Sequence, residues 1–310
     1  MQQGVLLQLG AFPPALQKII DAEFQPCTPQ DLEGNPDLKR GIRAVVTRSN
    51  QVMPMDLLAQ LPELRIIATS GVGYDLIPVA QLRERGVVVA NTPGVLDGAV
   101  AEFAVGLLLA LLRKIPHADR FVREGDWEKN TFPLSTGLSG KRVGIVGFGR
   151  IGRSIARRLD GFEPTIAYCA STKKDDVAYQ FFDSVPAMAD WADILVVCCP
   201  GGEATRHLIN ADILKRLGAD GFLVNVSRGT VVDEAALIAA LEDGVIRGAA
   251  LDVFEEEPLR QSPLAQLPNT LLSPHAASAT EETRYRMLRL ALDNIHRALA
   301  GSELLTPVAS

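Results

Sequence analysis

Three residues in the C-terminal half of the chain have side chains suited to acid–base and anion chemistry. Arg228 lies in "NVSRGTVVDE", Glu257 in "LDVFEEEP" and His275 in "LSPHAAS". A histidine that titrates near neutrality can deliver a proton to a developing alkoxide, and a carboxylate beside it favours the protonated ring. An arginine offers a two-pronged donor to a carboxylate and can polarise a keto oxygen. This set suits acid–base chemistry at the carbonyl group of a substrate that carries a carboxylate.

The three residues follow successive apolar stretches that are predicted to be parallel strands. Ligands of an open parallel sheet bind beyond the carboxyl ends of its strands, so these three loops can meet in one crevice. Each residue alone has an ordinary interpretation: Arg228 as a surface arginine, Glu257 as one of three exposed glutamates, and His275 as a loop histidine. Their predicted convergence favours a catalytic role for all three.

A glycine-rich turn upstream indicates where a cofactor would bind. The stretch "VGIVGFGRIGRSIARRL" places Gly147, Gly149 and Gly152 in the pattern G-x-G-x-x-G. The spacing alone is weak, but here it follows an apolar strand and opens a helix, as the dinucleotide-binding fingerprint requires. The first two glycines would allow a tight turn and close approach of a pyrophosphate, and the third would allow the helix to pack on the strand. An ordinary glycine-rich turn is the alternative.

The next strand of this predicted domain ends in "IAYCASTKK", residues 166–174. Enzymes that use NAD usually place an acid about 20 residues after the glycines, where it binds the ribose 2′-hydroxyl. Here Cys169 and Ala170 are followed by Ser171, Thr172, Lys173 and Lys174, and no acid occurs before Asp175. Hydroxyls and ammonium groups would bind a 2′-phosphate, which predicts a preference for NADP(H), with NAD(H) possible. A solvated turn is the alternative.

Two series of apolar strands alternate with helical patterns and must position these residues. The first series has strand candidates at 5–9, 44–48, 65–69 and 87–91, with helical patterns near 54–60 and 76–85. The second has six strand candidates, at 142–149, 165–169, 193–199, 222–226, 248–253 and 270–274. A helical stretch from Gly98 to about Gly125, interrupted near Pro116, separates them, and a last helix covers roughly Thr280 to Leu299. Continuous apolar strands between helices predict parallel sheets covered on both faces.

Length and composition predict a soluble α/β protein of two domains. The chain has 310 residues, which is above the size at which one core usually suffices. A net charge of −6 argues against nucleic acid or an anionic membrane as a partner. The most apolar segment, from Val100 to Leu112, contains Glu102 and is too short to span a bilayer.

The cysteines and histidines give no sign of a disulfide framework or a metal centre. Cys27, Cys169, Cys198 and Cys199 form no CxxC pair, which predicts reduced thiols in a cytoplasmic protein. The N-terminus lacks the basic and apolar regions of a secretory signal. His117, His207 and His296 show no ligand spacing, so no metal is expected.

The chain resembles the D-isomer-specific 2-hydroxyacid dehydrogenase family over nearly its whole length. Within that family it is most similar to the glyoxylate/hydroxypyruvate and hydroxyphenylpyruvate reductases. The matching stretches occur in order: "SGVGYDLI" (70–77), "ANTPGVL" (90–96), "VGIVGFGRIG" (143–152), "NVSRGTVVDE" (225–234), "ALDVFEEEP" (250–258) and "SPHAAS" (273–278).

The resemblance implies a Rossmann-type doubly wound nucleotide domain inserted into a flavodoxin-like substrate domain. The nucleotide domain would cover residues 98–282, and the substrate domain residues 1–97 and 283–310. The resemblance also implies that Arg228, Glu257 and His275 are the catalytic residues, Glu257 being the glutamate that precedes proline. Backbone N–H groups of Val72 and Gly73 would bind the substrate carboxylate, and Arg48, Ser49 and Asn50 would form a specificity loop.

Further cofactor contacts are implied by the same resemblance. Asp252 would contact the nicotinamide carboxamide, and Thr205 and Ser227 would lie along the cofactor, although loop or helix-capping roles are their alternatives. The complete predicted cofactor set is Gly147, Gly149, Arg150, Ile151, Gly152, Ser171, Thr172, Lys173, Lys174, Cys199, Pro200, Thr205, Val226, Ser227, Asp252, His275 and Ala277. One departure lies near the hinge: the family often has Thr-Asp after "NTPxVL", whereas this chain has Asp97-Gly98.

The expected function is an NADPH-preferring reductase of a small 2-oxo acid, glyoxylate or hydroxypyruvate first, which would yield the D-2-hydroxy acid. Hydroxyphenylpyruvate and 2-ketogluconate are alternative substrates. A different class, a corepressor-like protein that senses NAD(H), shares the fold and stays open as an alternative. By resemblance, a homodimer would form through the helical region between about 98 and 140. The resemblance also implies that a residue of the partner can reach the substrate pocket, and Trp127 lies near this helical region.

Overall fold

A computed structural model describes residues 5–308 of the chain. Contacts between residues divide it into two compact units. The described residues of Met1–Leu96 and Ala279–Ser310 form the first, and Asp97–Ser278 form the second. The last helix therefore belongs to the same unit as the first strands. No helix among residues 5–308 has both the length and the apolar character needed to cross a membrane.

The first unit is built on a parallel sheet in the order β1-β2-β3-β4. Its strands are β1 Leu6–Gln8, β2 Ala44–Thr47, β3 Ile66–Thr69 and β4 Val88–Ala90. Cys27 forms an isolated parallel bridge with Leu7 on the open side of β1. If this bridge is counted as a rudimentary second strand, the order along the chain is 2-1-3-4-5, which is the flavodoxin-like order.

Helices cover both faces of the first sheet, and alternate strand residues face opposite layers. The helices are α1 Pro14–Phe24, α2 Pro36–Gly41, α3 Met55–Leu58, α4 Val79–Glu84 and, from the C-terminal part, α11 Glu281–Leu299. Leu7, Val45 and Ile67 pack in one core with α3 and α4. Leu6 and Val46 pack in the other with α1 and α11. Because alternate strand residues point to opposite faces and helices cover both faces, nearly every strand residue of the unit is buried.

The second unit contains a seven-stranded parallel sheet in the order β11-β10-β9-β8-β5-β6-β7. Its strands are β5 Arg142–Val146, β6 Thr165–Cys169, β7 Gln180–Phe182, β8 Ile194–Val197, β9 Phe222–Asn225, β10 Gly248–Leu251 and β11 Thr270–Leu272. Counted from β5, the order is 3-2-1-4-5-6-7, which is the Rossmann order with one further strand at the edge. The predicted α/β class with a doubly wound nucleotide-type sheet is confirmed.

Six α-helices accompany this sheet in the second unit, and the predicted break between the first two is confirmed. They are α5 Asp97–Leu112, α6 Ile115–Arg123, α7 Arg150–Leu159, α8 Val185–Trp191, α9 Ala211–Leu217 and α10 Glu234–Glu242. The break was expected near Pro116, and it lies just before that residue, at Lys114, whose φ is +53°. Pro116 sits in the first turn of α6, where the missing N–H of proline has no partner to lose.

Strand β7 was missing from the six predicted strands of this half of the chain. Gln180–Phe182 is only three residues long and pairs with β6 alone, at the sheet edge. A segment this short cannot show the alternation by which a strand is recognised. Arg228, Glu257 and His275 therefore follow the fifth, sixth and seventh strands of the sheet, counted from β5. These are β9, β10 and β11, which are still successive neighbours.

Candidate active site

His275 and Glu257 form a close pair at the carboxyl edge of the second sheet. Nδ1 of His275 lies 2.7 Å from Oε2 of Glu257. Glu257 follows β10 and His275 follows β11, and these strands are direct neighbours, which brings the two loops together. The side chains are 26% and 24% exposed, so the pair is sheltered but reachable. Nδ1 is engaged by the carboxylate, which leaves Nε2 as the ring nitrogen that can meet a substrate.

The carboxyl group of Glu257 has a pKa below its ordinary value. Burial acts in the opposite direction and would raise the pKa, but several contacts outweigh it. They are the hydrogen bond and charge of His275, the N–H of Phe254 at 3.3 Å from Oε1, and the charge of Arg228. Glu257 is therefore a carboxylate at neutral pH, the form that stabilises an imidazolium.

Arg228 is the third predicted catalytic residue, and its backbone is held by a buried asparagine. Its carbonyl accepts a hydrogen bond of 3.0 Å from Nδ2 of Asn225, the last residue of β9. Its Nη1 donates to the carbonyl of Ser227 at 2.8 Å. The guanidinium contributes to the lowered pKa of Glu257, so the charges of Arg228, Glu257 and His275 act on one region. Sequence analysis did not single out Asn225.

The loop that carries His275 is held by the carboxylate of Asp252. Oδ1 of Asp252 accepts the N–H of Ala276 at 2.7 Å, and Oδ2 accepts the N–H of Ala277 at 2.9 Å. His275 has a φ of +53°, in the left-handed region that non-glycine residues rarely adopt. Such conformations persist where the surroundings determine them, and they are concentrated at functional sites. Asp252 thus supports the predicted catalytic loop, in addition to any contact with a cofactor.

The glycine turn has the shape that a pyrophosphate requires. Gly147 has a φ of +94°, and a Cβ there would lie 2.6 Å from the backbone of Cys199. A Cβ on Gly149 would meet nothing within 4 Å, so the space above that residue is open. Gly149 is the N-cap of α7 and provides no side-chain cap. The first N–H groups of α7 therefore face an open space that an anion can fill. The residues present fit a dinucleotide.

The segment after β6, residues 170–176, is held in place by hydrogen bonds and an ion pair. The N–H of Lys174 donates to the hydroxyl of Tyr168 at 2.7 Å, and Nζ of Lys174 donates to Oγ1 of Thr172 at 2.9 Å. Arg153 forms a two-pronged ion pair with Asp176, at 2.7 and 2.9 Å. Ser171, Thr172 and Lys173 are exposed. The predicted phosphate-binding side chains thus lie at the surface on an ordered segment. The Arg153–Asp176 pair was not predicted.

The other predicted cofactor residues lie at the same edge of the sheet. Thr205 donates its hydroxyl to the carbonyl of Pro200 at 2.7 Å, and the hydroxyl of Ser227 donates to Oδ1 of Asn225 at 2.8 Å. Both hydroxyls therefore have structural partners, as their alternative interpretation expected. The remaining members follow strands or line the turn: Arg150 and Ile151 begin α7, Gly152 packs on Gly147, Cys199 follows β8, Val226 follows β9, and Ala277 follows β11.

The residues predicted to bind substrate through the first unit lie after strands β2 and β3. Arg48, Ser49 and Asn50 follow β2, and Nη1 of Arg48 is 3.4 Å from the carbonyl of Ala11. Val72 and Gly73 follow β3, and the carbonyl of Val72 accepts a hydrogen bond of 2.8 Å from Nδ2 of Asn91. The side chain of Ser49 lies directly against Gly71, where a Cβ would be 2.6 Å from it. Both segments are at the carboxyl ends of parallel strands.

Asp97, the position that departs from the family pattern, begins α5, which packs beside α7. It shares a pocket with Arg150, Arg153 and Arg157 of α7. Burial raises the pKa of Asp97, and the charge of Arg150 opposes that rise. The departure therefore places the carboxylate of Asp97 near the start of α7.

A second histidine–glutamate contact accompanies the first. Nε2 of His207 lies 2.6 Å from Oε1 of Glu255, two residues before Glu257. Sequence analysis counted His207 among histidines without a pattern. The two residues are far apart in the chain, and only the paths of the loops bring them together, so spacing could not have revealed the pair.

Comparison with known proteins agrees with the motifs. Residues 105–277 match the family model described as D-isomer specific 2-hydroxyacid dehydrogenase, NAD binding domain. Glyoxylate/hydroxypyruvate reductase A of Arabidopsis thaliana is 46% identical over 270 residues, which is 87% of this chain and 86% of that protein. 2-Ketogluconate reductase of Gluconobacter oxydans is 40% identical over 303 residues, 98% of each chain.

Solved structures show the same similarity across both units. The NADPH-dependent glyoxylate/hydroxypyruvate reductase of Sinorhizobium meliloti, solved with NADP and malonate, is 40% identical. It aligns with a TM-score of 0.93 over 99% of this chain and 97% of its own. The family predicted from the motifs is confirmed, and with it an enzyme that carries a dinucleotide-binding domain. The chain belongs to the D-isomer specific 2-hydroxyacid dehydrogenase family.

Proposed function

We propose that the protein is an NADPH-preferring reductase of a small 2-oxo acid, glyoxylate or hydroxypyruvate first. The observation that carries the proposal is the 2.7 Å pair of His275 and Glu257, with Arg228 acting on the same charges. Relatives at 40–46% identity are named for glyoxylate/hydroxypyruvate, hydroxyphenylpyruvate and 2-ketogluconate. The last two acids are therefore the alternative substrates.

The three proposed catalytic residues have separate roles in the reduction. A bound NADPH supplies a hydride to the keto carbon of the substrate. Arg228 binds the carboxylate and polarises the keto oxygen, and Nε2 of His275 gives that oxygen its proton. Glu257 holds Nδ1 and stabilises the imidazolium before the proton leaves. Reduction therefore requires the protonated ring, and oxidation of the hydroxy acid requires the neutral ring.

Backbone groups of the first unit supply the second proposed set of substrate contacts. The N–H groups of Val72 and Gly73 bind the substrate carboxylate in this proposal, and Ser49 contributes to selectivity. The support is their position in a glycine-rich turn at the carboxyl end of β3, with the carbonyl of Val72 fixed by Asn91. Turns of this kind present successive N–H groups to anions.

The proposed preference for NADPH is supported by the segment after β6. This segment presents the hydroxyl and ammonium donors of Ser171, Thr172, Lys173 and Lys174, and it contains no acidic residue between Cys169 and Asp175. The Lys174–Thr172 contact places an ammonium group and a hydroxyl 2.9 Å apart, a spacing at which both can donate to one phosphate. The structure of the Sinorhizobium meliloti relative was solved with NADP.

A cytoplasmic homodimer is the proposed form of the protein. Ile115, Val122, Trp127 and Leu134 are large apolar residues that are 53%, 55%, 69% and 96% exposed. All four lie in residues 98–140, next to α5, which is apolar on nearly every side, as buried helices are. A second copy of the chain would cover this surface. The four free cysteines support a reducing compartment.

Steady-state kinetics tests the proposed reaction directly. NADPH and NADH are each offered with glyoxylate, hydroxypyruvate, hydroxyphenylpyruvate and 2-ketogluconate. We expect the highest kcat/KM with NADPH and either glyoxylate or hydroxypyruvate. Oxidation of D- and L-glycerate checks the stereochemistry, and only the D-isomer should react. A chain that oxidises neither cofactor with any of these acids would contradict the proposal.

His275→Ala tests the proton donor. Because general acid catalysis contributes about 10²–10⁴-fold, kcat for reduction should fall by a factor in that range. The affinity for NADPH, followed by quenching of protein fluorescence, should stay the same. His296→Ala is the matched control, since that histidine pairs with Glu23 in the first unit. Equal turnover in the two variants would remove His275 from the reaction.

The double variant Lys173→Ala, Lys174→Ala tests the cofactor preference. A charge-assisted hydrogen bond is worth about 1.5–3 kcal/mol, so the KM for NADPH should rise by about 10- to 100-fold. The KM for NADH should change little, because NADH lacks the 2′-phosphate. Lys18→Ala, Lys215→Ala removes the same charge from exposed sites elsewhere and serves as control. Parallel changes in both KM values would assign the two lysines to a solvated turn.

Trp127→Asp, Leu134→Asp tests the dimer. Sedimentation velocity should give about twice the 33.4 kDa chain mass for the parent protein and the single-chain mass for the variant. The reason is that two buried carboxylates without partners destabilise an apolar interface. Val52→Asp, at a residue 67% exposed in the first unit, is the control and should stay dimeric. A monomeric parent protein would refute the assembly.

A further inference from the structure

Two histidine–glutamate contacts meet on one short stretch of chain, residues 254–258, which we call the glutamate segment. Oε2 of Glu257 lies 2.7 Å from Nδ1 of His275, and Oε1 of Glu255 lies 2.6 Å from Nε2 of His207. Both histidines have a positive φ, +53° for His275 and +50° for His207. The first contact belongs to the proposed chemistry. The second has no part in that chemistry.

The glutamate segment has neither helix nor strand to fix its backbone. Its position therefore depends on individual contacts. The N–H of Glu255 donates to Oε2 of Glu234 at 3.1 Å. The backbone of Phe254 lies so close to Gly229 that any Cβ on that glycine would coincide with it. The side chain of Glu255 adds the contact to His207, so three neighbours outside the proposed chemistry hold the segment.

His207 itself is anchored on the segment that follows Arg228. The backbone N–H of His207 donates a hydrogen bond of 2.8 Å to the carbonyl of Thr230. Its Nδ1 lies 4.0 Å from Oδ2 of Asp233, a residue fixed because it caps α10 through the N–H of Ala236 at 3.0 Å. The His207–Glu255 contact therefore connects the chain beyond Arg228 with the chain before Glu257. A movement of this contact would change the distance between the two loops.

The His207–Glu255 contact lies among several acidic side chains. Negative charge is concentrated around the glutamate segment by Glu234, Glu255, Glu256 and Glu257. Burial raises the pKa of Glu234, the N–H of Glu255 opposes this, and the charges of Glu255 and Glu256 add to the rise. His207 is the side-chain partner of Glu255, and both side chains are about one-third exposed, at 35% and 33%. Without it, repulsion by Glu234 would favour movement of Glu255 toward solvent.

We propose that His207 is a positioning residue: by holding Glu255 it fixes the glutamate segment so that the carboxylate of Glu257 stays against Nδ1 of His275. The catalytic consequence of this role rests on the proposed function. His207 touches neither substrate nor cofactor in this proposal and acts only through Glu255 and Glu257. Glu256, which is exposed on the same segment, offers a matched comparison.

Titration of the histidines by NMR tests the positioning without any turnover. The chain has four histidines, so labelling at the ring carbon Cε1 gives a small set of signals. In His207→Ala and Glu255→Ala the midpoint of the His275 titration should move down by about 0.5–1 pH unit, because a displaced carboxylate stabilises the imidazolium less. Glu256→Ala removes the same charge and should leave the midpoint near its parent value. His296, in the first unit, is an internal reference.

Kinetics then separates positioning from a general loss of structure. His207→Ala and Glu255→Ala should lower kcat by about 10-fold, since a displacement of about 1 Å in a supporting residue can cost up to 10²-fold. The KM for NADPH should not change. The alkaline decline of the reduction rate should move to lower pH by the same amount as the His275 midpoint. His207→Gln keeps an N–H donor at a similar reach, so it should restore most of kcat.

The outcomes are distinct. If the His275 midpoint and kcat in His207→Ala and Glu255→Ala equal those of Glu256→Ala, the positioning role is wrong. A variant that fails to fold is recognised by thermal melting, and Glu255→Ala or His207→Gln then decides the question. If the parent protein reduces no 2-oxo acid, the proposed function fails, yet the NMR comparison still shows whether His207 controls the environment of His275.

Discussion

A histidine can act as a directed proton donor only if one ring nitrogen is held while the other faces the substrate. The proposed role of His275 therefore depends on how the second unit arranges the loops around its ring. Nδ1 of His275 is held by Glu257 at 2.7 Å. The contact exists because β10 and β11 are parallel neighbours in register, Leu251 opposite Leu272, so the loops that follow them leave the sheet side by side. Strand β9 adds Arg228 at the same edge. The proposed chemistry therefore depends on the register of three adjacent strands.

The cofactor side depends on a different constraint, which is the approach of one backbone to another. Gly147 turns the chain with a positive φ, and its N–H donates to the carbonyl of Cys169 at 2.9 Å. The turn is thus fixed to the strand that leads to the lysine-bearing segment. This contact joins the glycine turn before α7 to the end of β6, so it fixes the separation between the space that suits a pyrophosphate and the proposed donors for a 2′-phosphate.

Sequence reasoning succeeded where local pattern and topology agree. A strand, a glycine turn and a helix follow one another without a gap around Gly147, and Arg228, Glu257 and His275 each follow a clear apolar run. It failed where the information is not local. β7 is too short to show a period. The Arg153–Asp176 and His207–Glu255 pairs join residues that are 23 and 48 positions apart in the chain, so no spacing rule encodes them.

Each proposed catalytic loop is supported by a polar group outside the proposed chemistry. Asn225 and Asp252 are both 1% exposed, and a buried polar group is costly unless it is hydrogen-bonded. Asn225 bonds the backbone around Arg228, and Asp252 bonds the backbone beyond His275. The loop of Glu257 packs on the buried Gly229, but its polar support comes from the side chains of Glu234 and His207, which are partly exposed. The loop whose carboxylate must touch His275 thus has the most solvent-accessible support, which is why a surface histidine can influence the proposed acid.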